Sequence, residues 1–239
     1  MTYSDPRILP CGDAALTVEF GETIDATLNA RVLALDARIS KGVTGVVETV
    51  PTYRSLLIHY DPVATDFDGL RAVLARMATD LPDALPAGRL WRVPVVYGGA
   101  FGIDLAETAA RHNLSPASLI EKHAAPVYRV YMIGFLPGFA YLGGLDPAIA
   151  TPRRETPRLK TPPGTISIGG VQALIASIEA PSGWHLLGRT PMRNFMPSRE
   201  PAFLLRPGDR VTFEPTPAAR WDSLNAAAAA GEWVGEVVG

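Results

Sequence analysis

The sequence predicts an α+β protein, in which a small N-terminal domain of split-βαβ type precedes a C-terminal β-barrel or β-sandwich domain. In the first third, strand and helix signals alternate in the order β, α, β, β, α. From Val127 onward, short apolar runs are separated by glycine and proline at regular spacing. The polar, proline-rich stretch "TDLPDALPAGR" lies between these two regions of the sequence. We therefore expect two domains, at residues 1–88 and 89–239.

The elements of the first domain follow from hydrophobic spacing. "AALTVEFG" alternates as a half-buried strand, and "IDATLNARVLALDARIS" has the apolar spacing of an amphipathic helix with Thr23 as its N-cap. "VVETVPTYRSLLIHYDP" predicts two strands flanking a turn at Pro51, and a second amphipathic helix runs from Phe67 to Met77. "RLWRVPVVY" is a further strand that would close this sheet.

The second domain begins with two short helices and continues with strands. Asp104 is placed to cap the first helix, while Ser115 and Pro116 give the second an N-cap and a first-turn proline. The predicted strands lie in "YRVYMIGF", "GTISIGG", "QALIASIE", "WHLLGRTP", "AFLLRPGDRVTFEP" and "EVVG".

Composition excludes several classes of protein. The 239 residues carry a formal net charge of -2, from 22 basic and 24 acidic residues, so nothing attracts the chain generally to nucleic acid or anionic membrane. The single cysteine, Cys11, excludes an internal disulfide framework and a cysteine-based zinc site. No signal peptide or apolar run of about 20 residues is present. We expect a cytoplasmic protein without a metal, nucleic-acid or membrane partner.

No standard catalytic motif occurs in the chain. GxGxxG after a strand, the P-loop, HExxH and the GxSxG elbow are all missing, and no acid pair or Ser–His–Asp order stands out. A complete catalytic site is therefore not predicted from this chain alone.

The stretch "GFLPGFAYLGGLD", residues 134–146, is the first candidate site. Its glycines allow the backbone to approach a ligand closely, and Phe135, Phe139 and Tyr141 would form the wall of a flat pocket. The alternative is that these rings fill the mouth of the barrel as core.

Basic and polar residues after this stretch form two further candidates. Arg153 and Arg154 lie among prolines in "TPRRETPRLKTPPGT", where stiffly held guanidinium groups suit a carboxylate or phosphate, although a solvated basic loop is the alternative. In "APSGWHLLGRTP", His185 would act as a general base beside the stacking face of Trp184, or else be structural.

Three polar residues complete the candidate set. Arg189 and Thr190 follow His185 on the same predicted strand, and Gln172 is an amide on an apolar strand that would need a partner.

The run from "YRVYMIGFLPGFAYLGGLD" to "GWHLLGRTP" resembles the hallmark of the allophanate hydrolase subunit 1 family, also called the carboxyltransferase C/D-type domain family. "GDAALTVEFG" and "RPGDRVTFEP" resemble the same family near the two ends, although Ala140 departs from its usual "GFPYLGG". The resemblance implies a C-terminal barrel similar to cyclophilin and a multi-subunit hydrolase, as in bacterial ATP-dependent 5-oxoprolinase.

The resemblance also implies roles for the candidate residues. His185 and Arg154 would be catalytic, and a small cyclic amide would be bound by Phe135, Phe139, Tyr141, Arg153, Gln172, Trp184, Arg189 and Thr190. This chain would be the B subunit, inactive alone, that works with C-subunit-like and A-subunit-like partners to open 5-oxo-L-proline to L-glutamate. The complex would use ATP, whose site the sequence does not place on this chain.

Two alternatives stay open at this point. One is a carboxyltransferase-type subunit that acts on urea-like or allophanate-like amides with a separate biotin carrier. The other is an inhibitor of a sensor histidine kinase. A prolyl isomerase would rest on fold analogy alone.

Overall fold

A computed structural model describes residues 2–238 of the chain. The chain divides into two compact units, Met1–Pro86 and Ala87–Gly239. Each unit has its own sheet and its own hydrophobic core.

The first unit is a four-stranded antiparallel sheet with two helices. Its elements are β1 (Thr2–Pro10), β2 (Ala15–Gly21), α1 (Ala26–Ile39), β3 (Val46–Pro51), β4 (Ser55–Tyr60) and α2 (Phe67–Met77). The strand order is β1-β2-β4-β3, so β4 lies between β2 and β3 and is antiparallel to both. The connection from β2 through α1 to β3 is therefore a split βαβ unit, as the sequence predicts.

The core of this unit follows from period-two burial along its strands. Leu16, Val18 and Phe20 point to one face of β2, where they pack with the apolar side of α1. The helix begins two residues later than its apolar spacing predicts, because the side chain of Asp25 accepts hydrogen bonds from Thr27 N and Leu28 N. Asp25, and not Thr23, is the N-cap.

The second unit is a closed barrel with peripheral helices. Its strands are β5 (Leu90–Tyr97), β6 (Tyr128–Ile133), β7 (Ala140–Gly143), β8 (Arg158–Thr161), β9 (Thr165–Gly169), β10 (Gln172–Ile175), β11 (Ala180–Ser182), β12 (His185–Arg189), β13 (Arg210–Pro215) and β14 (Glu236–Val237). Its α-helices are α3 (Leu105–Arg111), α4 (Pro116–Ala124) and α5 (Trp221–Ala229), and short 3-10 turns occupy Pro147–Ile149 and Ala218–Arg220.

Barrel closure comes from a pairing that joins the two ends of the main sheet. The order is β12-β9-β10-β7-β6-β13-β5, and β12 also pairs with β5, while β14 extends the sheet beyond β5. Inward residues such as Trp91, Ile166 and Phe213 fill the interior. A separate ribbon of β8 and β11 lies outside this sheet.

Two sequence predictions are wrong in this unit. "RLWRVPVVY" does not close the first sheet, because β5 pairs in parallel with β13 and in antiparallel with β12. The apolar run at 202–205 forms no strand beyond an isolated bridge at Phe203. Local alternation cannot assign a strand such as β5 to a sheet, since its partners lie about a hundred residues further along the chain.

Candidate functional site

The loop between β6 and β7 carries the first group of predicted site residues. Phe135 is 65% exposed and has a φ of +70°, in the left-handed region that ordinary residues rarely occupy. Phe139 is buried, and the two rings meet edge to face with centroids 5.7 Å apart. The loop therefore holds one aromatic ring in the core and presents the other to solvent, at the expense of backbone strain.

Trp184 forms the opposite wall, directly before β12. Its indole lies so close to Gly169 that a Cβ on that glycine would come within 2.6 Å of the ring. Tyr141 meets the indole edge to face at 6.0 Å between centroids, and the Arg153 guanidinium lies over it at 5.5 Å. The chain thus builds a small cavity of about 180 Å³, which we call the aromatic pocket.

The aromatic pocket brings together five of the ten predicted site residues. Its lining is Phe135, Phe139, Tyr141, Arg153, Leu174, Pro181, Ser182, Gly183 and Trp184. Burial raises the pKa of the Tyr141 phenol, and the positive charge of Arg153 opposes that shift only in part. Tyr141 is therefore a neutral phenol near pH 7.

A second cavity of about 400 Å³ is also lined by Arg153, and we call it the arginine cavity. It is lined by Glu107, Arg111, Pro152, Arg153, Arg154, Glu155, Thr156 and His185. Arg153 is the residue that lines both cavities. The arginine loop and His185 therefore line one cavity, which is distinct from the aromatic pocket.

His185 is 1% exposed and has a defined tautomer. Its Nε2 lies 2.8 Å from the carbonyl oxygen of Pro152, and a carbonyl can only accept a hydrogen bond. Nε2 therefore carries a hydrogen, and in this tautomer Nδ1 is the ring nitrogen with the lone pair. Nδ1 is buried and has no hydrogen-bond partner among the described residues.

Asp104 holds residues of the arginine cavity in place through its carboxylate, and it was not predicted as a site residue. Its carboxylate accepts a hydrogen bond from Arg158 Nη2 at 2.5 Å, and Arg154 Nη1 lies 3.4 Å away. It also accepts from Leu186 N at 2.8 Å, next to His185. Asp104 precedes α3 as predicted, but its side chain makes no capping hydrogen bond.

This arrangement separates the two adjacent arginines. Arg154 is held by Asp104 and lies 3.8 Å from Glu107, whereas exposed Arg153 forms no ion pair with any residue between 2 and 238. The sequence pattern "RR" gives no sign of this difference, because the carboxylate that distinguishes the two arginines is Asp104, fifty residues earlier in the chain.

Arg189 and Thr190 lie elsewhere. They line a third cavity of about 340 Å³ with Gly164, Arg193, Phe195 and Trp221. Arg189 donates to the Pro163 carbonyl and stacks on Trp221 at 4.8 Å, so the structure does not bring it together with His185. Gln172 lines none of these three cavities, although it shares a face of β10 with Leu174 of the aromatic pocket.

The other buried histidine of the barrel unit is structural. His123 contacts the Tyr97 hydroxyl through Nδ1 at 2.8 Å and stacks on Phe213 with centroids 4.8 Å apart. Burial lowers the pKa of its imidazole to about 3, so the ring is neutral near pH 7.

Within residues 2–238, no group of His, Cys, Asp or Glu side chains is arranged to hold a metal ion. No described helix is both long enough and apolar enough to span a bilayer.

Comparison with known proteins places this architecture in a family. The family model "Carboxyltransferase domain, subdomain C and D" matches residues 6–205. A protein of Bacillus subtilis (strain 168), named as the B subunit of 5-oxoprolinase, is 39% identical over 219 residues, covering 87% of this chain and 91% of that relative.

Solved structures agree with the fold. The protein TTHA0988 is 36% identical with a TM-score of 0.76; the match covers 85% of this chain but only 40% of that longer one. The urea amidolyase of K. lactis has a TM-score of 0.79 at 19% identity and covers 99% of this chain and 16% of its own. The latter likeness concerns the fold alone.

Proposed function

The chain belongs to the carboxyltransferase domain family of subdomains C and D, and from this membership we propose that it is the B subunit of an ATP-dependent 5-oxoprolinase. Such an enzyme opens 5-oxo-L-proline to L-glutamate. The observation that carries the proposal is the extent of the likeness to the Bacillus subtilis relative, at 39% identity over 87% of this chain.

The aromatic pocket supports this substrate by its size and lining. Pockets for drug-sized ligands are roughly 300–1,000 Å³, whereas this one is about 180 Å³, which suits a single small ring. Phe135 and Trp184 provide flat apolar walls for the ring, and Tyr141 adds a neutral aromatic side chain to the lining. Arg153, free of carboxylate partners, would bind the ring carboxylate.

The reaction requires activation because a ring amide is a poor electrophile. In the proposed sequence the amide oxygen attacks the γ-phosphorus of ATP, and the bond from that phosphorus to ADP breaks. Water then adds to the activated ring carbon and the ring C–N bond opens, with the nitrogen taking a proton. A second water releases phosphate from the acyl phosphate, which leaves the carboxylate of glutamate.

His185 and Arg154 are the proposed catalytic residues of this chain. Nδ1 of His185 would accept a proton from the attacking water, because Nε2 is engaged by the Pro152 carbonyl. Arg154 would stabilise negative charge that develops on the transferred group. Its position is set by Asp104 and Glu107.

Partner chains complete this proposal. The relatives are named as one lettered component of 5-oxoprolinase, and such a name belongs to a multi-subunit enzyme. We propose C-subunit-like and A-subunit-like partners for this chain. They would supply a general acid to work with His185, and the binding site for the nucleoside of ATP. The complex would act in the cytoplasm.

The test is a tagged chain recovered from its native extract with its bound proteins, followed by an assay of ATP hydrolysis with and without 5-oxo-L-proline. We expect stoichiometric recovery of a related carboxyltransferase-family chain and ATP hydrolysis that depends on 5-oxo-L-proline. A complex whose rate of ATP hydrolysis is the same with and without 5-oxo-L-proline would contradict the proposal.

A second function is favoured by membership of the carboxyltransferase domain family itself. In that case the chain would be a carboxyltransferase-type subunit that acts on urea-like amides with a separate biotin carrier. Capture of a biotinylated protein in the same experiment, with ATP hydrolysis that depends on urea and bicarbonate, would support it instead.

A further inference from the structure

We propose that the arginine cavity is a binding site for a small protonated oxyanion of the phosphate class, separate from the aromatic pocket. The place of this oxyanion in catalysis rests on the proposed function, but its binding to the chain does not. The site would hold the phosphate that the ring-opening reaction transfers and releases.

The two cavities are neighbours with different chemistry. Phe135, Phe139 and Trp184 line the aromatic pocket, whereas charged and polar residues dominate the arginine cavity. Arg153 lines both, and Trp184 and His185 are adjacent in the chain, one in each lining. A ring in the first cavity and an oxyanion in the second would therefore share a single guanidinium.

Several donors in the arginine cavity have unused capacity. Nε of Arg154 is buried and has no hydrogen-bond partner among the described residues, while its Nη1 lies near Asp104 and Glu107. Arg153 has its whole guanidinium available except for the contact of its face with Trp184. Buried N–H groups without partners are rare in folded proteins, so an anion that accepts from them would satisfy a deficit already present.

The acceptors of the cavity determine which anion fits. Nδ1 of His185 is a buried lone pair without a partner, because Nε2 donates to Pro152. The carboxylates of Glu107 and Glu155 add further acceptors to the lining. A fully deprotonated anion would place its oxygens against these lone pairs, whereas hydrogen phosphate carries an O–H that can donate to one of them.

This chemistry predicts a preference that simple positive charge would not produce. Sulfate has the shape and charge of hydrogen phosphate but no proton near pH 7. A site that relies on an O–H donor rejects an analogue lacking it, since a buried polar group is then left unpaired. The arginine cavity should therefore bind phosphate about tenfold more tightly than sulfate.

The test is a titration of the full chain with inorganic phosphate and, separately, with sulfate at constant ionic strength. Binding is followed by calorimetry and by the ¹⁵N–¹H resonance of the Arg154 side-chain Nε. We expect saturable phosphate binding with a shift of that resonance, and sulfate binding about tenfold weaker. Equal affinity for both ions, or no shift of the Arg154 resonance, would overturn the proposal and indicate an adventitious ion only.

Three variants localise the site. Arg153→Gln removes the shared guanidinium from an exposed position and should weaken phosphate binding about tenfold or more. His185→Phe keeps a flat ring but removes the Nδ1 acceptor, so it should reduce the preference for phosphate over sulfate. Arg193→Gln, an exposed arginine of the third cavity, is the matched control and should change affinity less than about twofold.

The outcomes separate this inference from the proposed function. The chain could bind phosphate with the expected preference while its assembled complex does not turn over 5-oxo-L-proline. That result would support the oxyanion site and contradict the oxoprolinase proposal. A complex that turns over 5-oxo-L-proline, built on a chain that does not discriminate phosphate from sulfate, would contradict the oxyanion site alone.

Discussion

Arg153 stacks over Trp184, with 5.5 Å between its Cζ atom and the ring centroid, and thereby stands between two cavities of different chemistry. Its neighbour Arg154 is turned toward Asp104 and Glu107. Two consecutive arginines thus have different environments, and their substitutions should have different effects.

Replacing Arg153 should impair substrate binding with little effect on folding. Arg153→Gln removes a charge-assisted hydrogen bond that is worth roughly 1.5–3 kcal/mol, so the KM of the assembled complex for 5-oxo-L-proline should rise about tenfold or more. The free energy of unfolding should change by no more than about 1 kcal/mol, because the side chain is exposed and its described contact is the one with the Trp184 ring. Steady-state kinetics and urea unfolding check both values, and an unchanged KM would remove Arg153 from the substrate site.

Replacing Asp104 should chiefly reduce stability. Asp104→Asn leaves Arg154 and Arg158 without their buried counter-charge, and loss of one partner of a buried pair costs about 3 kcal/mol. Glu107→Gln is the control, because that carboxylate is half exposed and its removal should cost less than about 1 kcal/mol. Equal losses in urea unfolding would show that Asp104 does not organise the cavity.

Replacing Phe135 by glycine should remove backbone strain and at the same time weaken substrate binding. Glycine adopts the left-handed conformation of position 135 without strain, whereas alanine does not. Phe135→Gly should therefore be more stable than Phe135→Ala by about 1 kcal/mol. Both variants should raise the KM for the ring substrate, since both remove one wall of the aromatic pocket. Thermal unfolding and kinetics on the two variants measure these effects, and a KM equal to that of the unsubstituted chain would show that the exposed ring does not contact substrate.

Position 169 should tolerate no side chain, because Gly169 lies close to the indole of Trp184. In Gly169→Ala the new methyl group would lie 2.6 Å from the indole, so the ring must move and the aromatic pocket must change shape. Gly134→Ala is the control, because its Cβ would meet nothing nearer than 3.5 Å. We expect a KM rise in the first variant only, and comparable kinetics in both would mean that Trp184 has room to shift.

Acid should weaken the barrel unit through His123. Its pKa is about 3 in the folded chain and about 6.5 in an unfolded one, so between these values the unfolded state binds more protons. The contribution of His123 to the free energy of unfolding is therefore fully present above about pH 6.5. It falls as the pH decreases toward 3, by at most about 1.4 kcal/mol per pH unit.

The measurement is urea unfolding of the chain and of His123→Gln at pH 7 and pH 5. The groups that face the imidazole are the rings of Tyr97, Tyr128 and Phe213, and none of them titrates in this window. The substitution should cost stability at pH 7, and that deficit should shrink at pH 5. His59→Gln, in the first unit, is the control, and a deficit that does not depend on pH would contradict the prediction.

Local sequence determined most elements of this protein and one wall of its site. Period-two burial defined strands such as β2 and β4, helical spacing defined α1 and α2, and Ser115 with Pro116 marked the start of α4. The glycine-rich stretch at 134–146, which contains β7, indicated a ring-lined pocket, because glycine spacing and aromatic residues are visible in one segment. β1 escaped prediction, since its residues are mostly exposed and show no alternation.

Only the tertiary structure decided how the polar residues are distributed. Barrel closure through β12 and β5 placed Arg189 in a third cavity, and Asp104 reached the arginine loop across the fold. Such choices depend on which distant carboxylate meets which guanidinium and which carbonyl meets His185. Local propensity and spacing carry no information about contacts between residues far apart in the chain, so the roles of neighbouring residues such as Arg153 and Arg154 emerge only from packing.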